Sequence, residues 1–174
     1  MRVPFKVLLF LLLFSVLHFG YDITHLPFLK PFCGVNESVF QHLKMVFWAY
    51  LLSNIVEYLL VKKRLSEGKD SFWYSRLFIT VQLPWFIVLV WYLLPSILGR
   101  MTNTLVEVGW AVASSYVSAL FGVVIERNIE KVKFNLAFKV VTGVLFIVSA
   151  FFYIWCTYHL PYIDLFIDPE LLPK

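Results

Sequence analysis

The chain has 174 residues, of which 60% are hydrophobic, 19% aromatic and 15% charged. A soluble domain carries about 45–50% apolar and about 25% charged residues, and a disordered chain is polar and poor in aromatics, so both classes are excluded. The formal net charge of +4 is spread between apolar runs, with no basic arm, zinc knuckle, P-loop or G-x-G-x-x-G, so nucleic acid and nucleotides are not indicated as partners.

In chain order, five apolar runs approach or exceed the roughly 20 residues that a helix needs to cross a bilayer. They are 3–20, 39–61, 77–98, 105–125 and 136–158. The first has a basic start and an apolar centre, as a secretory signal would. It has no small-x-small cleavage site and ends His18-Phe19-Gly20-Tyr21, so a retained helix is expected. The connection 21–38 is long and carries two prolines and the turn Gly34-Val35-Asn36-Glu37-Ser38. In the third run, Pro84 removes a backbone donor and predicts a bend, while Pro95 lies near the run's end. Ser114, Ser115 and Ser118, with Gly109 and Gly122, read as small packing contacts in the fourth. The expected fold is all-α: a polytopic transmembrane helical bundle of five spans, one integral membrane domain over residues 1–174. Five spans without an internal repeat argue against a transporter built of two equal halves.

Lys and Arg positions set the expected orientation. With the N-terminus inside, the inner segments hold Arg2, Lys6, Lys62, Lys63, Arg64, Lys69, Arg76, Arg127, Lys131, Lys133 and Lys139. The outer ones hold Lys30, Arg100 and Lys174, giving eleven against three. The expectation is N-in, C-out, multi-pass in the cell membrane, with membrane lipids as neighbours.

On this topology all four histidines fall at the outer side. His18 ends the first span, with Asp22 and His25 following at i+4 and i+7, on one face if the helix continues. Glu37, Ser38 and His42 open the second span, and His159 ends the fifth. Asp164, Asp168 and Glu170 lie in the tail. Neutral imidazole is a common metal ligand. His18, His42 and His159, with a carboxylate, would suit a zinc ion with one open position, which acidifies a bound water. The other reading is a hydrogen-bonded polar cap at a tolerant interface. Asn36 is expected as the N-cap of the second span, with Glu37 at the positive end of its dipole. Lys44 is expected to snorkel outward. Cys33 and Cys156 would both lie outside, where they can form a disulfide.

The segment Asn36-Glu37-Ser38-Val39-Phe40-Gln41-His42-Leu43-Lys44 resembles the N-E-S-V-W-E-H-L-K signature of a family of small, functionally uncharacterised prokaryotic multi-pass membrane proteins. Leu17-His18-Phe19 with Tyr21-Asp22 is similar to that family's L-H-F-x-Y-[DE] element, and Ile55-Val56-Glu57-Tyr58 resembles its I-E-Y element. His159-Leu160-Pro161 and Leu165-Phe166 with Asp168-Pro169 resemble its closing H-x-P-L-F-x-D-P. Phe40-Gln41 stand where the family favours Trp-Glu, and three residues are inserted between Pro161 and Leu165. The resemblance implies a polytopic helical membrane domain and no established activity.

Glu57 lies fifteen residues after His42, about 22 Å deeper, near the inner end of its span. It is expected to reach the interface or pair with Arg76 or Lys62; the other reading is a proton or cation relay. Two functions follow. One is a metal-dependent hydrolase of lipid or lipid-linked substrates. Its metal, with zinc the candidate, would be held by His18, His42 and His159. Glu37 or Asp22 would act as base or fourth ligand, and Asp168 would orient a ring. The other is a non-enzymatic carrier or accessory subunit whose polar cluster caps the bundle.

Overall fold

The structure, a computed structural model, describes residues 1–64, 69–99 and 103–168. It contains α1 (Val3–Thr24), α2 (Val39–Val61), α3 (Lys69–Leu98), α4 (Thr104–Ile129) and α5 (Leu136–Tyr158), with no strand among the described residues. All five helices are long and apolar enough to cross a membrane, the architecture of a multi-pass membrane protein. The 23 residues of α2 reach about 35 Å at 1.5 Å each, against a hydrocarbon core of about 30 Å.

The helix ends follow local chemistry. Ser38, and not Asn36, caps α2: its hydroxyl accepts from the Gln41 N–H at 3.4 Å. Asn36 instead folds the approach, its Oδ1 accepting from the Ser38 N–H at 3.1 Å. This is the self-directed turn that Asn favours outside a helix. Asn103 and Asn135 cap α4 and α5 through backbone N–H groups of their first turns. α1 stops where His25 takes φ 52° and donates its N–H to the Tyr21 carbonyl at 2.7 Å. This left-handed closure is a common helix ending.

Three helices outrun their apolar stretches. α1 continues to Thr24, α3 starts at Lys69 instead of 77, and α4 runs to Ile129 instead of 125. In α3 and α4 the added turns carry Arg76 and Glu126, whose charges find partners inside the bundle. α3 remains helical through Pro84 and Pro95.

α2 lies at the centre and packs on α1 and α3, while α4 closes against α3 and α1. One core joins Val7 and Phe10 of α1, Met45, Ala49 and Tyr50 of α2, and Ile79 and Leu83 of α3 with Ala119 and Val123 of α4. A Cβ on Gly122 would sit 3.2 Å from Leu83 Cδ1, so this glycine permits close approach of α3 and α4. Gly109, expected to share that role, has nothing within 4 Å. A second core sets Phe40 and Phe47 of α2 against Tyr153 of α5, with Phe166 of the tail 4.5 Å from Phe40.

The bundle has two polar ends. One holds the 25–38 connection, the end of α5 and the tail, and is called the histidine end. The other holds the Lys62–Arg64 turn and the α4–α5 connection, and is called the basic end.

Candidate metal centre

At the histidine end, His18 comes from the last turns of α1, Glu37 from the loop and His42 from the first turn of α2. One ligand atom from each lies within 4.8 Å of the other two. Glu37 Oε2 stands 3.7 Å from His18 Nε2 and 3.5 Å from His42 Nε2, and the two rings are 5.5 Å apart. Four-coordinate zinc with bonds of about 2.0–2.1 Å spaces its ligand atoms by about 3.3 Å, so the two carboxylate–imidazole spacings need only a small closure.

Local structure aims these groups. His42 Nδ1 lies 3.0 Å from the Ser38 carbonyl one turn earlier. A carbonyl only accepts, so Nδ1 carries the proton and Nε2 presents its lone pair toward Glu37. A ligating histidine is commonly held this way through its second nitrogen. The loop is fastened on α1 by the Gly34 N–H, which donates to the Leu17 carbonyl at 3.1 Å, next to His18. A Cβ on Gly34 would come within 2.9 Å of Met45 Sδ and 3.4 Å of the His18 carbonyl. A side chain here would have to displace the end of Met45, so glycine suits the close approach of the loop to α2. Phe14 packs beneath both imidazoles, 6.0 Å from His18 and 6.4 Å from His42. Above, the cluster is open: the side chains of His18, His42 and Glu37 are 23%, 35% and 44% exposed. His18 Nδ1 is buried without a hydrogen-bond partner among the described residues.

Of the three histidines expected to converge, His18 and His42 meet with Glu37, and His159 is not in that group. His159 caps α5, stacks flat on Trp155 at 4.1 Å, and turns Nδ1 to the Trp155 carbonyl at 3.3 Å. Stacking one turn back along its own helix fixes the ring there, outside the group. Asp22 is exposed on α1 and makes no ion pair or hydrogen bond among the described residues. Asp168 is half-buried in the tail and does not join the three. Glu170, Arg100 and Lys174 lie outside the described residues.

Two further expectations change. Lys44 does not reach water: its ammonium is buried and donates to the Lys30 carbonyl at 2.7 Å and to Thr157 Oγ1 at 3.3 Å. It ties the loop to α2 and α5. Cys33 and Cys156 are both free and buried. Burial pushes the Cys33 thiol up, away from the thiolate that a metal would need.

At the basic end Glu57 is almost wholly buried and pairs with Arg76 at 3.4 Å, as one reading of the sequence expected. Lys62 is exposed. The partner that sequence reasoning missed is Lys6 of α1, fully buried, which donates to Glu57 Oε2 at 2.7 Å and to both Glu126 oxygens at 2.6 and 2.8 Å. Tyr50 donates to Glu126 at 2.7 Å, and Arg76 to Glu130 at 2.6 Å. A signal was present: Lys6 and Glu126 border apolar runs, where a charge needs a partner. Between the two polar ends lie Phe10 and Phe14, with Tyr50 against Phe10 at 5.9 Å, an apolar layer separating the clusters.

Residues 3–170 match a family of unknown function, DUF6512. The chain belongs to that family. The match takes in α1 to α5 and the whole histidine end, so both polar clusters of this DUF6512 member lie inside the family region. No curated protein and no solved structure is similar to the chain.

Proposed function

We propose that this DUF6512 member is a metal-dependent membrane hydrolase of lipid or lipid-linked substrates, with zinc held by His18, Glu37 and His42. The observation that carries this reading is one carboxylate oxygen of Glu37 facing Nε2 of both histidines at 3.7 and 3.5 Å. Two imidazoles and one carboxylate are a recurrent catalytic zinc set, leaving the fourth position open. Bound there, zinc would supply an acidified water near neutral pH. The chain's own part is to hold the ligands. Ser38 directs His42, Gly34 fastens the loop beside His18, and Phe14 floors the site with an apolar ring. Glu37 then acts as a ligand and not as the base, which leaves Asp22, one turn beyond His18, as the carboxylate for proton transfer. The site stands at the end of its helices, at headgroup level, which favours a lipid or lipid-linked substrate.

The orientation reading is N-in and C-out, so the site opens to the outer leaflet. Lys6, Arg76 and Arg127 are engaged with buried carboxylates. Setting them aside leaves eight cations in the segments expected inside against three in those expected outside.

A second reading, a non-enzymatic cap, is favoured by one feature. Glu37 stands within ion-pair distance of either ring in its protonated form, with no metal needed. Elemental analysis of the purified protein, before and after a chelator, separates the two. The expected result is about one zinc per chain, lost in His42→Ala and His18→Ala. Folded protein without zinc or zinc uptake returns the site to the cap reading.

A further inference from the structure

We infer that the buried ion cluster at the basic end is a register clasp. It fixes the sliding position of α1 against α2, and so places His18 opposite His42 at the other end of the same helix pair. The inference rests on the metal-site reading for its functional meaning, and on the cluster's geometry for itself.

α1 needs such a device. Apart from Lys6, its buried side chains are Val7, Phe10 and Leu17, and much of the rest faces outward. In lipid no hydrophobic force distinguishes one register of an apolar helix from the next. Buried polar groups do, and specifying register is their best-attested role. Lys6 makes three short bonds to carboxylates on two helices, at 2.7 Å to Glu57 on α2 and at 2.6 and 2.8 Å to Glu126 on α4. Sliding α1 by one turn, about 5.4 Å, would break all three and leave Glu57 and Glu126 to Arg76, Arg127 and Tyr50 alone.

The same slide would be felt at the site. His18 lies twelve residues along α1 from Lys6, about 18 Å, and His42 fifteen residues along α2 from Glu57, about 22 Å. Helices are stiff along their axes, so displacement at one end appears at the other. The ligand atoms lie within 4.8 Å of one another, and a one-turn shift exceeds that. Lys6 and Glu126 are thus positioning residues for the site.

The cluster permits a charge-balanced test. Lys6, Arg76, Arg127 and the Met1 amino group face Glu57, Glu126 and Glu130, four cations and three carboxylates. Lys6→Met with Glu126→Gln removes one of each. Register has a reporter independent of metal. A Cβ added at Gly20 would lie 3.0 Å from Cys33 Sγ. That is about the spacing from a Cβ to the far sulfur in a disulfide. A slide of α1 must break either the single Gly34 N–H bond to the Leu17 carbonyl or the ties that Lys44 and Met45 make from α2 to the same loop; the ties to α2 are the more numerous, so Cys33 stays with α2. Gly20→Cys, with Cys156→Ala to leave a single pair, should therefore oxidise readily in the full chain.

Adding Lys6→Met and Glu126→Gln should lower the disulfide yield at least fivefold. In the chain without the reporter they should weaken zinc binding at least tenfold, with helix content by circular dichroism unchanged. Wild-type disulfide yield in the folded double variant would overturn the clasp. If that variant does not fold, Glu57→Gln decides, because it removes the Lys6–Glu57 tie from α1 to α2, together with the Glu57 pairs to Arg76 and Arg127, and leaves Lys6 on Glu126. Its disulfide yield should fall at least twofold, and an unchanged yield is again the overturning result. Should the parent chain bind no zinc while the disulfide still tracks the cluster, the clasp stands and the metal reading alone falls.

Discussion

At the residue scale, capping and ligation can be separated around Ser38. Its hydroxyl caps α2 through the Gln41 N–H, whereas its carbonyl holds His42 Nδ1. Ser38→Ala deletes the first and keeps the second. The expected cost is about 1 kcal/mol of stability, read as a lowered melting temperature in detergent, with zinc stoichiometry unchanged. Loss of zinc in Ser38→Ala would mean that the hydroxyl itself serves the site. Cys33 offers a second test. Its thiol is held up by burial, so at a given pH less of it is thiolate than in a free cysteine. Alkylation at pH 7 to 8 should be slow and should rise only at more alkaline pH, followed by mass spectrometry. Rapid labelling at neutral pH would show an accessible thiolate where the structure has a packed thiol.

At the scale of elements, the five helices were legible because lipid requires about 20 apolar residues of every crossing helix. Their ends were less so. Hydropathy reads residues that lipid tolerates, whereas α3 and α4 extend through Arg76 and Glu126, which are tolerated because they face each other across the bundle. The site was legible in its level and not in its azimuth. His18, His42 and His159 each end a helix at the same side, which the order of spans supplies. Which way each points depends on helix rotation, and helices that are apolar nearly all round carry little phase signal. Glu37 was legible as a group near His42. Its place between two imidazoles depends on the Asn36 turn and on the cap standing at Ser38, two residues later than the expected Asn36. Lys6 was read as an orientation charge only, since its partners lie 51 and 120 residues away in sequence.

At the scale of the whole molecule, the histidine end and the basic end are separated by the apolar layer around Phe10 and Phe14, so which end faces outward decides what each can meet. Counting basic residues favours the histidine end outside, because Lys and Arg near the spans are retained in the cytoplasm. Tyr162 in the tail beyond α5 is wholly exposed, and Val132 in the α4–α5 connection is 56% exposed. Both native cysteines are buried, so introduced thiols give the dominant signal. A membrane-impermeant maleimide applied to intact cells should label Tyr162→Cys and leave Val132→Cys unlabelled until the membrane is opened. The reverse pattern would invert the bundle. The His18–Glu37–His42 cluster would then meet the inner leaflet, and its substrate would have to be a cytoplasmic-side lipid. Labelling of both positions in intact cells would leave α5 on one side of the membrane, contradicting the five-span arrangement itself.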